Sequence, residues 1–301
     1  MLSKRTFTLL ILLLFAVVFE LVAGRVFSSY ILILRGIRVI LGIVSGVVLG
    51  STGAALQRVY NNPLADGYIL GISGGAVFGV ALAEILKMPA LDFLWALLGS
   101  ALVGVLLLAT VRRVDRILIP VMGIGLGMFF SSVAVLLFMM AGVEASRTFY
   151  ALWGTLGRFY EYGDLLPIAL ITVVSSAGLL YLLLYDRDMD AVSLGEEEAL
   201  ALGYDPRLTV IRITVVSALL VALITSFVGI IGFVGIMSAH ILRGIGIREG
   251  KSFYLFSGVV GSILVLLSDG MGRLVLGIDP PVGIIMSIVG APFFVYLTTR
   301  R

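Results

Sequence analysis

The chain of 301 residues has no cysteine and a single histidine, His240. Disulfides, thiolate metal sites and cysteine nucleophiles are thereby excluded, and a lone imidazole lacks the partners of a metal centre. Charge is also scarce: Asp, Glu, Lys and Arg make up 13% of the residues, about half the share of an ordinary soluble domain. With 60% hydrophobic residues, that scarcity excludes a soluble fold. The net charge is +3, but the basic residues fall in short clusters between apolar blocks and form no continuous stripe, which excludes a nucleic-acid partner.

The apolar residues come in long blocks without one-face periodicity, so most segments are apolar on all sides, as membrane-spanning helices are. About 20 helical residues cross a hydrocarbon core roughly 30 Å thick. Segments of near that length run approximately over 6–24, 36–58, 66–86, 93–111, 117–141, 165–185, 209–229, 231–246, 252–276 and 281–299. The reading is an all-α, polytopic membrane protein of about ten helices, with residues 1–301 as one transmembrane domain. The segment 231–246 is too short to span unless its neighbours cover it. Lys4 and Arg5 precede the first block, as they would in a signal peptide. Its apolar run exceeds a signal core of about 7–15 residues, and an uncleaved first helix is expected.

Alternate connections of a ten-helix arrangement differ sharply in Lys and Arg. One side holds Lys4, Arg5, Arg58, Arg112, Arg113, Arg116, Arg187, Arg207, Arg212, Arg243, Arg248, Lys251, Arg300 and Arg301, fourteen in all. The other holds six, Arg25, Arg35, Arg38, Lys87, Arg147 and Arg158, while Arg273 lies inside a span. By the positive-inside rule both termini face the cytoplasm.

Glycines recur every fourth residue at Gly42, Gly46 and Gly50 and at Gly71, Gly75 and Gly79. That spacing puts them on one helix face, where backbones approach closely; the expectation is tight packing, with part of a pathway lining as the lesser reading. A faint internal echo relates Gly67–Ser73 to Gly232–Ser238, as two halves of a transporter repeat or chance similarity would.

The most polar stretch spans about 186–208. Asp186, Asp188 and Asp190 precede Ser193-Leu194-Gly195-Glu196-Glu197-Glu198-Ala199-Leu200-Ala201-Leu202-Gly203-Tyr204-Asp205-Pro206. Ser193 with Glu196 has the spacing of a capping box, and Gly203 followed by Pro206 signals a helix end. Leu194, Ala199, Leu200 and Leu202 beside three glutamates suit a short helix that docks into a groove on a soluble partner; a solvated linker helix is the bland alternative.

At these residues the chain resembles the FecCD-like permease subunits of bacterial iron-siderophore, haem and vitamin B12 ABC importers. The likeness runs from Arg35-Gly36-Ile37-Arg38 to Gly290-Ala291-Pro292-Phe293-Phe294 and is most specific at Asn62-Pro63-Leu64-Ala65-Asp66, Gly195–Gly203, Gly232-Phe233-Val234-Gly235 and Pro281-Val282-Gly283. The resemblance implies a homodimer with the pathway along its interface in the cytoplasmic membrane, two ATPase subunits below, a substrate-binding protein above, and no cofactor. It implies ATPase contacts at Glu196, Glu197, Ala199, Leu200 and Gly203, a cytoplasmic gate at Asn62 and Leu64, and binding-protein docking at Arg35 and Arg38, then Arg147 and Arg158. The chain departs from the family at Ser238-Ala239-His240, where a proline usually precedes the histidine.

Asp269 and Arg273 lie four apart inside a span, at the spacing of an intrahelical ion pair. Glu20 and Glu84 are near enough to helix ends to reach the interface, and His240 reads as structural. Gly250-Lys251-Ser252 ends like a phosphate loop, but Ile245 occupies the place of its first glycine, so ATP binding by this chain is not expected. An ion-coupled secondary transporter would need several mid-membrane ionisable groups, and a membrane enzyme a cluster of polar catalytic groups. Neither pattern is present in the sequence. A fluorescent protein fused to the C-terminus should fluoresce in cells and a secreted phosphatase fused there should be inactive; the reverse result would refute the cytoplasmic placement.

Overall fold

In a computed structural model of the chain, residues 4–24, 28–88, 91–111, 118–142, 152–157, 165–247, 250–276 and 281–299 are described. The described elements are all helices: α1 (Lys4–Val22), α2 (Ser29–Val59), α3 (Ile72–Ile85), α4 (Asp92–Val111), α5 (Ile119–Met140), α6 (Leu165–Leu184), α7 (Asp186–Leu194), α8 (Glu196–Ala201), α9 (Pro206–Val228), α10 (Val234–Gly244), α11 (Lys251–Leu276) and α12 (Val282–Thr299). Ten coincide with the ten apolar segments, and α7 and α8 form the polar stretch between two of them. Among the described residues six helices are long and apolar enough to cross a membrane, and α3, the Leu94–Leu107 part of α4 and the Val282–Tyr296 part of α12 are shorter apolar helices.

The centre of the bundle is α2, which packs against α1, α6, α7, α9, α10 and α11, while α3 packs against α4, α5 and α9. In their most apolar windows α9 and α11 are 67% and 72% buried within the chain, whereas α1, α5 and α6 are only 17%, 22% and 22% buried. The outer helices present Phe7, Leu14, Phe15, Met128, Phe129 and Val173 outward, an apolar exterior that fits lipid.

The glycine stripes pack helix against helix. A Cβ at Gly46 would overlap the backbone of Ser262 in α11, and one at Gly79 would overlap the carbonyl of Trp95 in α4. The short helix α10 is enclosed by α2, α11 and α12, with Val234–Ala239 and Leu242 buried. Enclosure by protein is what permits an eleven-residue helix and its irregular approach at membrane depth.

Three features differ from the sequence reading. The second helix starts at Ser29, seven residues before the expected 36, because Ser28 Oγ accepts from Ile31 N at 3.2 Å and caps it there, which puts Arg35 and Arg38 inside the helix. The third helix starts at Ile72, because Gly71 before it is left-handed (φ 75°) and Asp66 Oδ1 accepts from Tyr68 N at 3.1 Å, holding 66–71 as turns. The Ser193–Glu196 capping box does not form. Ser193 lies inside α7 and donates to Asp190 O at 2.7 Å, and the chain breaks at Gly195 (φ 144°, ψ 165°) between α7 and α8. The far end agrees with expectation: Gly203 (φ 83°) is left-handed, Gly203 N donates to Leu200 O and Tyr204 N to Ala199 O, the bond pair of a Schellman cap.

Helix α2 ends in the same way. Asn61 (φ 47°) is left-handed, with Asn61 N donating to Arg58 O and Asn62 N to Gln57 O. Replacing Asn61 by Gly should leave stability unchanged, whereas Asn61→Val should cost about 1–2 kcal/mol. Gly46→Val should cost about 1–3 kcal/mol through overpacking. Thermal unfolding in detergent measures all three.

Candidate functional site

Two buried charge clusters lie on α2, about 30 Å apart along its axis at 1.5 Å per residue, a separation close to the thickness of a hydrocarbon core. At the first, Arg38 Nη1 donates to Asp269 Oδ2 at 3.0 Å, and Arg273 Nε lies 3.3 Å from the same oxygen. Arg273 also pairs with Glu20 and donates to Glu20 O at 3.1 Å and Ala23 O at 3.0 Å, while Arg35 donates to Leu21 O at 2.8 Å. Two acids and two bases thus join α1, α2 and α11, and arginines from α2 and α11 satisfy the last carbonyls of α1, where cations are favourable. Asp269 and Arg273 are therefore members of a quartet, beyond an intrahelical pair. Glu20, expected to reach the interface, is completely buried, and Arg35 and Arg38, expected on a docking surface, are 5% and 2% exposed. Each of these three is held inside because it closes an internal polar contact. Arg147 and Arg158 lie outside the described residues.

At the other end, Arg58 is 2% exposed. It donates to Asp186 Oδ1 at 2.7 Å and Asp186 O at 3.1 Å and pairs with Asp190. This ties the last turn of α2 to α7. Beside it Gln57 accepts from Arg243 at 2.8 Å and donates to Gly235 O at 3.3 Å, and Tyr60 hydroxyl lies 2.9 Å from Thr214 Oγ1 in α9. Arg5 donates to Gly246 O at 2.8 Å, so the basic ends of α1, α2 and α10 gather on one side of the bundle.

The gate candidates Asn62 and Leu64 directly follow the α2 cap and are partly exposed. Asn62 Oδ1 accepts from Leu64 N at 2.9 Å. Two residues on, buried Asp66 accepts from Ile236 N at 3.2 Å. Phe233, the N-cap of α10, is left-handed and makes no side-chain cap, so Asp66 caps that helix from another segment, with its carboxyl oxygen accepting at the helix N-terminus. The two echoing segments meet there: the rings of Tyr68 and Phe233 are 6.0 Å apart.

In the polar stretch, Glu196, Glu197 and Glu198 are exposed, as are Leu194, Leu200 and Leu202 at 59–66%. Ala199 is fully buried, so it seats α8 against the bundle and cannot itself face a partner; Gly203 is exposed and closes the helix. An acidic, leucine-bearing knob stands on the side where Arg5, Arg58 and Arg243 gather.

The FecCD transport family matches residues 6–300. The chain belongs to that family. Relatives of this FecCD chain include an iron(3+)-citrate import permease of Bacillus subtilis, 35% identical over 86% of this chain and 79% of the relative. A cobalamin import permease of Halobacterium salinarum is 32% identical over 88% of this chain and 72% of its own length, and a hemin transport permease of Yersinia pestis is 31% identical over 88% and 81%. A solved metal-chelate type ABC transporter in an inward-facing conformation superposes with a TM-score of 0.84 at 25% identity, covering 98% of both chains.

Where this FecCD chain lacks the usual proline, α10 runs unbroken through Ser238-Ala239-His240; His240 Nδ1 lies 2.8 Å from Ile236 O and its ring meets Phe293 edge-on. Lys251 opens α11 and the element before it is the helix α10, whereas a phosphate loop follows a strand. Sequence reasoning missed Glu20, Gln57, Arg58 and Asp66 as organising residues. The available signal for Arg58 was Asp186 and Asp190 at one-face spacing, which were placed only in the polar stretch ahead of Ser193.

Arg38→Met leaves the carboxylates of the quartet with one guanidinium. It should lower stability by about 3–5 kcal/mol, and Arg38→Met with Asp269→Leu should recover much of that loss, measured by thermal unfolding of the purified proteins. Equal instability of the single and double variants would show that Arg38 does not act through Asp269.

Proposed function

We propose that the chain is the permease subunit of an ATP-driven importer, carrying an iron chelate or a related metal-bearing cofactor across the cytoplasmic membrane. Two copies form a pathway along their interface by alternating access, each copy acting as one transmembrane domain without catalytic activity of its own. Hydrolysis belongs to two separate ATPase subunits on the side of the basic loops, which is the cytoplasmic side. The observation that carries this reading is the exposed knob of α7 and α8 on a chain matched to the family over residues 6–300. Three glutamates and the leucines at 194, 200 and 202 present a small acidic-apolar surface, suited to a groove on a soluble partner. The relatives named for citrate-iron, hemin and cobalamin import support the cargo class.

A substrate-binding protein docks on the opposite side, with Arg147 and Arg158 as the basic contacts, since Arg35 and Arg38 are engaged within the bundle. Asn62 and Leu64 form the cytoplasmic gate. An ion-coupled transporter acting alone is disfavoured because, among the described residues, Glu20, Arg38, Asp269 and Arg273 partner one another and Asp66 is held by the N-terminus of α10, whereas an ion path needs a string of uncompensated groups. In proteoliposomes containing the ATPase partner, the wild type should hydrolyse ATP and import an iron chelate. Glu196→Lys with Glu197→Lys should weaken coupling roughly tenfold or more. Movement of solute down an ion gradient without the ATPase would refute the reading.

A further inference from the structure

We propose that Arg58 is the positioning residue that carries movement of the α7–α8 knob to the Asn62–Leu64 segment; the inference rests on the import function proposed above. The residue belongs to both parts at once. Its guanidinium is bound to α7 by Asp186 Oδ1 at 2.7 Å, by Asp186 O at 3.1 Å and by Asp190. Its own carbonyl accepts Asn61 N at 3.2 Å in the cap that turns α2 into the gate segment. One residue earlier, the Gln57 carbonyl accepts Asn62 N at 3.1 Å. A single residue thus separates the carboxylates of α7 from the backbone of Asn62.

The chemistry suits a rigid link. A planar guanidinium held at two nitrogens by a side chain and a carbonyl of the same helix resists both sliding and rotation of that helix, whereas apolar packing alone permits sliding. The Arg58 side chain is 1% exposed, so the link is shielded from the salt screening that weakens surface ion pairs. On the other side of the knob, α8 follows α7 after the break at Gly195 and packs back against it, with the Gly195 carbonyl accepting Ala199 N at 3.1 Å in the first turn of α8. Force applied by a partner at Glu196 or Leu200 therefore reaches Asp186 and Asp190 through that packing and the short link at Gly195. The left-handed Asn61 and the Asx turn of Asn62 on Leu64 N make the gate segment a compact unit that moves with the α2 cap. Arg187, exposed and between the two aspartates in sequence, makes no comparable link.

The absence of native cysteine permits a single reporter, Leu64→Cys, in the complete complex with its ATPase reconstituted in nanodiscs. The readout is the rate of labelling by a water-soluble maleimide without nucleotide and with a non-hydrolysable ATP analogue. With Arg58 present, nucleotide should change the rate about fivefold or more. Arg58→Met should reduce that response to under about twofold while the ATPase still co-purifies, and Arg187→Met should retain it in full. Exchange of the charges, Arg58→Asp with Asp186→Arg, should restore part of the response, which a purely structural loss would not allow. Asp190→Asn, at the more exposed edge of the link, gives an intermediate response and serves where Arg58→Met fails to assemble. A full nucleotide response in Arg58→Met or Asp190→Asn would overturn the role of Arg58 alone. Failure of the unsubstituted chain to bind any ATPase would overturn the import function and this inference with it.

Discussion

A charge in hydrocarbon must find its partner inside the protein, and the architecture is organised by that constraint acting on α2. Arg38 lies about a third of the way along this helix and Arg58 at its end, each under 3% exposed. Each recruits a different set of neighbours: α1 and α11 at one end, α7 at the other. Between them the helix is lined by glycine and small residues, so α10 and α11 approach its backbone directly. The result is a central post with two charged clamps about 30 Å apart along its axis and close apolar contact between. Breaking a clamp is costly because the unpaired partner stays buried.

The irregular backbone is concentrated where that post ends. Residues 60–71 turn twice before α3 starts, and residues 229–233 remain non-helical before α10. Free backbone groups at such depth are permitted only where protein supplies partners, and here each segment supplies the other. Asp66 caps α10, Gln57 takes the carbonyl of Gly235, and Tyr68 packs on Phe233. The echo between the two sequences is thus expressed as a physical junction. Beside it lie the gate candidates, so this irregular junction is also held by specific polar contacts.

Placement of function follows from the two clamps. The knob that a soluble partner would grip is anchored at Arg58, one turn from the segment proposed to open and close. The quartet at the far end fixes α1, a helix that buries little of its own surface, and closes off the last carbonyls that would otherwise face lipid. Arginine suits both positions because it stays charged and donates to several oxygens in one plane.

Much of this was legible in the residues alone. Blocks of about 20 apolar residues locate membrane helices because hydrocarbon thickness and helix rise set their length. Gly203 and Pro206 marked a helix end and the next start because backbone geometry at those residues is local. Family membership was legible in short motifs spread along the chain. The partners of Arg38, Arg58, Asp66 and Glu20 were not, because they lie 128 to 253 residues away for all four, and no periodicity encodes such pairings. Ser193 and Glu196 had the spacing of a cap yet do not form one, since Gly195 between them takes a conformation that breaks the helix. The sequence by itself determined the helical class, the approximate location of the apolar helices and their apolar character, which depend on neighbours a few residues apart; only the tertiary structure decided which charges are buried and what they hold together, because that depends on which helices meet.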